Sequence, residues 1–484
     1  MDDCISELPE EILSYILTML SIKDSLKTSI LSRRWCNVWS LRRDLYFDVL
    51  NVLGSEKELL ENGYLIDVSR RLNLDMSRDE FAKRVNQFVK NFKGTKIDSF
   101  LVNFKLDCEQ SSTVNQWISF AVTRRVGRID LLLLGSPYAH GTTRHNYVKL
   151  DFALFLETNV STLNYLRLEN CLVCNPNKNC LDFTPFKNLR YLSLEESKLE
   201  ETFIESLLSN CPRLEELYLL FCEFKSSMPK IVSSSLCHLK VPGCYFVYNN
   251  IYRVDVNLIL LDCLKLNSLE LDFIELHSLE DGLDTLIFNT PMLKTIEFSI
   301  SLKQELNTFV ALCATFFPEL EIMHVTTFSM VTTSLKLTQP LKHLKQLNLT
   351  VYIYSDILDN VEYDPLWILN ILQVCPILQK LSIMFRDPEL SEKQKDIRDV
   401  KEFCHDEVKV IELRGCVGNW YEIEFVMNIL KYVHKLEQIV VSPYWRDVGS
   451  LDWTSNPEWF QHGRERMIKK LRDEVIEREK LVLL

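Results

Sequence analysis

The feature that most constrains the fold is a short motif, L-x-x-L-x-L, that returns through the middle and the end of the chain. Its clearest copies begin at Leu163, Leu189, Leu214 and Leu236, which are 26, 25 and 22 residues apart. Because successive side chains of a strand point to opposite faces, each copy predicts a strand that is apolar on one side. One such strand cannot bury its own apolar face, so neighbouring copies must stack on one another.

Weaker copies of the motif extend this pattern in both directions. They begin at Ile97, Val126, Leu266, Leu293, Leu320, Leu344, Leu378, Val408 and Leu436. Between copies run amphipathic segments, such as residues 201–217, in which Phe203, Ile204, Leu207 and Leu208 form a helical stripe. We therefore predict an α/β fold in which strand-plus-helix units form a curved solenoid, with a parallel sheet on one side and helices outside.

Charge and composition exclude several classes of function. The net charge of -12 argues against binding to nucleic acid or to anionic membranes, which requires clustered Lys and Arg. The acidic start lacks a signal peptide, and no apolar run approaches the roughly 18 residues of a membrane span. We expect a protein of the nucleus or the cytoplasm whose 15 cysteines are reduced.

The first 40 or so residues predict three short helices. Residues 8–20 place Ile12, Leu13, Ile16, Leu17 and Leu20 on one stripe, with Pro9 at the first helical position. Asp24 is the expected cap of the second helix, and Ser32 of a third that carries Trp35, Val38 and Trp39. So small a unit rarely buries enough surface to be stable alone, so its apolar residues meet either the next domain or another protein.

This segment, LPEEILSYILTMLSIKDSLKTSILSRRWCNVW, resembles an F-box, particularly the plant form. The resemblance implies docking on a Skp-type adaptor and, through it, on a cullin-based ubiquitin ligase. It also implies a set of adaptor contacts, with three further residues supporting the third helix. The contacts are Leu8, Pro9, Ile12, Leu13, Ile16 and Leu17, and the supporting residues are Leu31, Ser32 and Trp35. The alternative is that all of these form the core of a helical cap on the solenoid.

The repeats resemble those that follow plant F-boxes, and residues 405–443 are similar to the FBD segment at the end of many such proteins. Physically, this segment predicts two further repeat units, with a helix that carries Glu422, Ile423, Phe425, Val426, Ile429 and Leu430. The tail predicts a charged helix whose Met467, Leu471 and Val475 cover the end of the solenoid. The resemblance identifies the repeats as leucine-rich repeats (LRR). The expected domains are an F-box (1–48), a connecting segment (49–95), the leucine-rich-repeat solenoid (96–400), an FBD-like segment (401–445) and a helical tail (446–484).

Catalytic, cofactor and metal motifs are absent from the sequence. Cys171 and Cys174 form a single C-x-x-C with Cys180 beyond, whereas structural zinc normally needs two such pairs. Cys171 fits better as the Asn/Cys position of the repeat, which Cys222, Cys244 and Cys416 also occupy. There is no phosphate loop and no nucleophile elbow, and His405 is interpreted as an exposed structural residue. We predict no catalytic residue, no cofactor and no metal.

The outward residues of the motif form the candidate surface for a target protein. Tyr165, Arg167, Tyr191 and Tyr218 lie at nearly corresponding positions, and Tyr and Arg are typical interface anchors. Nearby carboxylates favour a basic partner, namely Glu169, Glu195, Glu215 and Glu216. The sequence thus favours a non-catalytic substrate receptor of a ubiquitin ligase. A repeat scaffold without ligase coupling, or an unrecognised hydrolase, remains the alternative.

Overall fold

The computed structural model describes residues 7–31, 35, 38–53, 74–133, 146–156, 162–174, 183, 186–225, 229–248, 251–253, 260–273, 287–300, 303–327, 340–352, 366–388, 390, 396–398, 400, 404–446, 453–472 and 480–484. These residues fall into two compact units, residues 1–236 with 243–253 and residues 237–242 with 254–484. None of the helices within these ranges has the length and the apolar character needed to cross a membrane.

The first unit contains a parallel main sheet. Its described strands are, in spatial order, Asp44–Asp48, Ser99–Asn103, Arg128–Leu132, Tyr165–Glu169, Tyr191–Glu195 and Glu216–Leu220. Five of them begin two residues after the start of a predicted motif copy, which confirms those copies. Leucines such as Leu166, Leu192 and Leu217 are buried, while the residues between them face outward.

The second unit repeats the arrangement, with parallel pairing throughout its main sheet. Its main-sheet strands are His238–Val241, Ser268–Phe273, Thr295–Ile300, Ile322–Thr327, Gln346–Tyr352, Lys380–Arg386, Val410–Arg414, Gln438–Val441 and Leu481–Leu483. The first eight match the remaining predicted copies, so the motif located them although its spacing is irregular here. The ninth carries no copy of the motif and was not predicted.

Helices and short strands connect the main-sheet strands. Among the described residues, the helices of the first unit beyond residue 48 are Val49–Leu53, Leu74–Asn91, Ser111–Thr123, Ala153–Leu156 and Glu201–Asn210, with a 3-10 turn at Cys108–Gln110. Those of the second unit are Lys303–Phe316, Trp367–Val374, Trp420–Tyr432 and Arg464–Arg472, the last preceded by a π-helical turn at Trp459–Gly463. Short strands outside the main sheet include Ile231–Val232, Leu260–Asp262, Ile287–Asn289, Tyr444–Arg446 and Trp453–Ser455.

A tight turn leads into many of the main-sheet strands. In one example the backbone N–H of Leu214 donates to the carbonyl of Cys211 at 3.1 Å, and in another Leu378 donates to Cys375 at 3.1 Å. Proline follows each of these acceptors, as it does in the turns that begin at Thr290 and Phe317. Its fixed φ suits the second position of a type I turn, so these prolines set the turn as well as ending the preceding helix.

After several main strands of the first unit, one residue with positive φ redirects the chain into a second sheet. These residues are Asn170, Glu196 and Phe221, and Gly243 precedes the corresponding strand Tyr245–Tyr248. A Cβ on Gly243 would lie 2.2 Å from the ring of Phe221, so only glycine fits there. The second sheet contains Val148–Asp151, Cys171–Cys174, Lys198–Leu199, Glu223–Phe224, Tyr245–Tyr248 and Ile251–Arg253.

The predicted repeat cysteines follow these redirecting residues. Cys171, Cys222 and Cys244 are buried, and the thiol of Cys222 donates to the carbonyl of Leu194 in the preceding repeat at 3.2 Å. Cys244 makes the same contact with Leu219 at 3.1 Å. A small, weakly polar side chain therefore fills this site, as the repeat pattern predicts. Cys180 and the side chain of Cys174 lie outside the described part of the chain.

The predicted connecting segment contains the helix of the first repeat. Helix Leu74–Asn91 buries Phe81, Val85 and Phe88, and the ring of Phe88 lies 5.3 Å from that of Trp39 and 5.3 Å from that of Phe47. Strand Asp44–Asp48 is the first of the main sheet, although the predicted boundary at residue 48 assigned it to the F-box. The sheet and the F-box therefore share one continuous aromatic core.

The N-terminal segment differs in detail from the three predicted helices. Helices Glu10–Thr18 and Ile22–Lys27 are followed by 3-10 turns at Thr28–Ile30 and Val38–Leu41. The expected third α-helix is, in its described part, only the second of those turns. Pro9 is the N-cap of the first helix and not its first helical residue. The second helix is capped by Ser21, whose Oγ accepts from the backbone N–H of Asp24 at 3.0 Å, so Asp24 is not the cap.

A buried arginine holds these helices to the sheet. Arg42 Nη1 donates to the carbonyls of Leu17 at 3.1 Å and Leu20 at 2.9 Å, and to Ser25 Oγ at 3.2 Å. Its Nε donates to the carbonyl of Asp44 at 2.7 Å. These bonds satisfy carbonyl groups at the end of the first helix, which have no partner within the helix itself. The F-box helices and the first strand are thereby fixed to one another.

The FBD-like segment forms the two predicted repeat units. Helix Trp420–Tyr432 lies between strands Val410–Arg414 and Gln438–Val441 and is buried from Trp420 to Ile429 on all sides. In the tail, Met467 and Leu471 are buried as predicted, whereas Val475 is not among the described residues. The tail also supplies strand Leu481–Leu483, which pairs with Gln438–Val441. It therefore extends the sheet as well as covering it.

Glu422 is a buried carboxylate at the start of helix Trp420–Tyr432. Burial raises its pKa to about 7, although the backbone N–H groups of Val417, Gly418 and Asn419 donate to it and favour the charged form. The folded chain therefore holds this proton more tightly than the unfolded chain does. The resulting stability is complete below the unfolded pKa of about 4.5 and is lost as the pH rises through about 7.

We expect the substitution Glu422→Gln to remove this part of the pH dependence, because glutamine does not ionise. Urea unfolding of both proteins across this pH range measures the effect. The wild type should lose free energy of unfolding relative to the variant as the pH rises from about 4.5 to about 7. Parallel curves for the two proteins would contradict the raised pKa.

Candidate functional site

The first F-box helix has apolar side chains on two faces. Leu13 and Leu17, at 1% and 0% exposure, pack with Trp35 and Val38 in a small core. Leu8 is partly buried against the same core. The sequence analysis placed all the apolar residues of this helix on one stripe. The spacing of i and i+4 instead turns Leu13 and Leu17 inward, because the core lies on that side.

The opposite face of this helix and part of the segment after it, including Leu26 on helix Ile22–Lys27, are exposed. Their large apolar residues form what we call the F-box patch: Ile12 (46% exposed), Tyr15 (62%), Met19 (67%), Leu26 (37%), Ile30 (85%) and Leu31 (66%). Large apolar side chains gathered on a surface are typical of protein interaction sites. The sequence did not predict four members of this patch, namely Tyr15, Met19, Leu26 and Ile30. Two of these, Tyr15 and Met19, could have been identified from their size and from their helical spacing from Ile12.

The expected adaptor contacts therefore divide into three groups. Pro9 and Ile12 are exposed and Ile16 is half-buried, so a partner can reach them. Leu31, which was expected to support the third helix, is exposed as well. Leu13 and Leu17 are removed from the contact set because their side chains form the core of the domain itself. Trp35 is buried in the same core, in agreement with its expected supporting role. Ser32 lies outside the described residues.

The predicted target-binding residues come together on the outward face of the first unit's main sheet. Tyr165 and Tyr191 are paired in register, and their rings stack with centroids 4.1 Å apart and planes 3° from parallel. Tyr218 meets Tyr191 edge-on at 5.2 Å, although it lies two residues further along its strand. We call these three side chains the tyrosine row. All three are half-buried, and burial raises the pKa of Tyr165.

Sequence analysis did not extend this row to the preceding strand. The guanidinium of Arg128 lies 4.0 Å from the centre of the Tyr165 ring, in a cation-π contact. Its Nε also donates to Oδ2 of the buried Asp130 at 2.6 Å. Both residues belong to the motif copy at Val126, whose outward positions were not considered. The register of this strand, with Arg128 beside Tyr165, would have identified them.

The carboxylates that suggested a basic partner are largely engaged within the chain. Glu195 accepts a hydrogen bond from Arg167 at 3.0 Å, and Glu215 lies 3.7 Å from Arg190. Glu169 is buried. The tyrosine row thus has both signs of charge beside it, and the structure gives no support to the preference for a basic partner.

Four buried cysteines of the repeats are not suited to nucleophilic chemistry. Burial raises the pKa of both Cys211 and Cys375 to about 12 and raises the pKa of Cys171 and Cys416 as well. A nucleophilic cysteine needs a lowered pKa, since the thiolate is the reactive form. These thiols therefore act as small apolar groups in the core.

Comparisons with known proteins match both the N-terminal segment and the repeats. A family model described as F-box domain matches residues 5–45, and one described as At1g61320/AtMIF1, LRR domain, matches residues 88–455. The chain is 27% identical over 271 residues to the F-box/FBD/LRR-repeat protein At1g51370 of Arabidopsis thaliana, covering 54% of this chain and 50% of the relative. It is 31% identical over 220 residues to the Arabidopsis F-box/LRR-repeat protein At3g26922, covering 45% and 59%. The chain thus spans less than two thirds of the length of these relatives.

Because the two faces of the first helix differ in burial, truncation of a side chain should destabilise the domain on one face and not on the other. Leu17→Ala removes a buried side chain and should cost about 2–5 kcal/mol, whereas Met19→Ala, at an exposed position, should be nearly neutral. Amide hydrogen exchange in helix Glu10–Thr18 measures the opening of this domain. We expect exchange to accelerate by about thirtyfold or more in Leu17→Ala only. Equal rates in the two variants would refute the assignment of the faces.

Proposed function

Because this chain belongs to the plant F-box/leucine-rich-repeat family, whose members generally act in Skp-cullin-F-box ubiquitin ligases, we propose that it is the substrate-recognition subunit of such a ligase. In this role the F-box binds a Skp-type adaptor, the adaptor connects it to a cullin, and the repeats bind a target protein. Members of this family are typically non-catalytic substrate adaptors, and we propose that this chain is also non-catalytic. We further propose that it acts in the nucleus or the cytoplasm.

The F-box patch is the observation that carries the proposal. The small core of Leu13, Leu17, Trp35 and Val38 is complete without Ile12, Tyr15 and Met19, so these side chains contribute little to the fold while exposed. Covering them with a partner removes apolar area from water at about 25 cal/mol per Å². The match of the F-box model to residues 5–45 supports a Skp-type adaptor as that partner.

Target recognition is proposed for the tyrosine row and the arginines beside it. Tyr and Arg contribute large contact areas and several donors, and they dominate the energetic centres of protein interfaces. Pre-stacked rings lose little conformational freedom on binding, which favours affinity. Because Arg128 and Arg167 are each paired with a carboxylate, the target is selected by shape and hydrogen bonding more than by net charge.

The proposed mechanism is proximity. A target held on the repeats, with the F-box held on the ligase, places its lysines near a charged ubiquitin-conjugating enzyme. This raises the effective concentration of two reactants that would otherwise meet only by diffusion. The chemistry takes place on other subunits, so the chain needs only two binding surfaces. In the alternative, a repeat scaffold without ligase coupling, the patch would not bind an adaptor.

A charged double variant tests adaptor binding. Ile12→Asp with Met19→Asp should weaken pull-down of a Skp-type adaptor by about thirtyfold or more, which corresponds to a loss of about 2 kcal/mol at an interface centre. Both positions are exposed, so circular dichroism and the melting temperature should not change. The matched control is Leu264→Asp with Met292→Asp, which alters two apolar residues of comparable exposure, each 53%, in the second unit. Equal adaptor recovery from both double variants would favour the uncoupled scaffold.

A second variant tests target binding independently of the adaptor. Replacement of Tyr165, Tyr191 and Tyr218 together by alanine should release copurifying target proteins while adaptor binding persists. Loss of the ring contacts should also cost about 1–3 kcal/mol of stability, which thermal unfolding measures. Tyr444→Ala removes an exposed tyrosine elsewhere and serves as the control. Undiminished target recovery from the triple variant would move the target site away from the tyrosine row.

A further inference from the structure

The turns that lead into the strands of the second unit contain one unusual pair of residues. Aligned on the strands, the second turn position is occupied in successive repeats by Leu264, Pro291, Pro318, Lys342, Pro376, Asp406 and His434. The last two belong to adjacent repeats, so an imidazole and a carboxylate lie side by side where other repeats mostly have proline or leucine. Cys404, two residues before Asp406, adds a thiol to the same place.

The three ligating atoms converge on one point. His434 Nδ1 lies 2.7 Å from Asp406 Oδ1 and 3.8 Å from Cys404 Sγ, and Sγ lies 3.9 Å from Asp406 Oδ1. In a catalytic triad the nucleophile and the acid contact different nitrogens of the imidazole. Here both contact Nδ1, which is the arrangement of ligands around a shared ion. Within the described residues, this is the one group of three such ligands.

A buried histidine fixes the turn that carries two of the ligands. His405, expected from the sequence to be exposed, is 5% exposed, and its Nδ1 accepts from the backbone N–H groups of Glu407 at 3.2 Å and Val408 at 3.3 Å. Its Nε2 therefore carries the proton and donates to the carbonyl of Cys375 at 2.9 Å. With both nitrogens engaged, His405 points inward, and Cys404 and Asp406 on either side of it point outward together.

Backbone hydrogen bonds join this turn to the next one. The N–H of His405 donates to the carbonyl of Tyr432 at 3.0 Å, and the N–H of His434 donates to the carbonyl of His405 at 3.1 Å. These bonds form an isolated parallel bridge between His405 and Val433. The Cα positions of all three ligand residues are therefore set by the fold, and only side-chain torsions remain free.

We propose that Cys404, Asp406 and His434 form a binding site for Zn²⁺, with a fourth position open to water. A thiolate, an imidazole and a carboxylate are the ligand types of zinc, whereas Mg²⁺ and Ca²⁺ prefer oxygen alone. Tetrahedral zinc with bonds of about 2.0–2.3 Å separates its ligand atoms by about 3.4–3.6 Å. The thiol already lies near that distance from both partners, and the imidazole and carboxylate need to part by less than about 1 Å.

The sequence predicted no metal, because the pattern of structural zinc sites is paired ligands close together along the chain. Here His434 lies 30 residues from Cys404, and only the stacking of repeats brings them together. The side chains of His434 and Asp406 are 62% and 67% exposed, so the ion can reach the site without a change in the fold. The site lies in the FBD-like segment, to which the proposed ligase role assigns no function.

Cobalt provides the direct test, because a thiolate ligand gives Co²⁺ an intense charge-transfer absorption in the near ultraviolet. The full chain, reduced and freed of metal by a chelator, is titrated with Co²⁺ and then with Zn²⁺. We expect the absorption to appear and then to be displaced by Zn²⁺. In Cys404→Ser the charge-transfer band should be lost, and in His434→Gln the affinity for Zn²⁺ should fall by about tenfold or more.

Two matched controls change the same residue types at other exposed positions. Cys108→Ser and His343→Gln should retain the absorption and the affinity of the wild type. Circular dichroism of all four variants should be unchanged, since each side chain is exposed. Absence of the absorption in the wild type, or an equally strong absorption in Cys404→Ser, would overturn the proposal.

Discussion

Every repeat of this chain depends on its neighbours, because a strand with apolar side chains on one face cannot shield them alone. Parallel pairing in a constant register places leucine beside leucine from one repeat to the next, as Leu166 lies beside Leu192 and Leu192 beside Leu217. The stack therefore gains stability with each added repeat. The first and last repeats need other elements to cover their exposed apolar side chains. The tail provides that cover at one end with Met467, Leu471 and strand Leu481–Leu483.

At the other end the cover is the F-box itself. Trp39 packs against Phe88 and Phe92 of the first repeat, and Arg42 joins the end of the first helix to the first strand. This attachment fixes the orientation of the first helix, with Leu13 and Leu17 inward and Ile12 and Met19 outward. The exposed F-box patch thus follows from how the domain is anchored. A domain that is rigidly attached and still presents apolar residues to water is suited to binding another protein.

The sequence predicted the repeats well, because apolar and polar residues alternate in the motif as side chains alternate between the two faces of a strand. Strands Asp44–Asp48 and Leu481–Leu483 were not predicted, because neither carries a complete copy of the motif. Helix Leu74–Asn91 was missed because Phe81, Val85 and Phe88 are spread among charged residues. The candidate sites were harder to predict. Which apolar residues of the first helix face outward depends on where Trp35 and Val38 pack, and the approach of Cys404 to His434 depends on the stacking of two repeats.

The central claim is that the exposed face of the first helix is the surface by which this chain joins a ligase. Hydrogen exchange of the purified chain, with and without a Skp-type adaptor, tests this most directly. The account predicts slower exchange in residues 10–31 on addition of the adaptor, with no change in strands Tyr165–Glu169 and Tyr191–Glu195. Unchanged exchange in residues 10–31, or protection confined to the repeats, would contradict it.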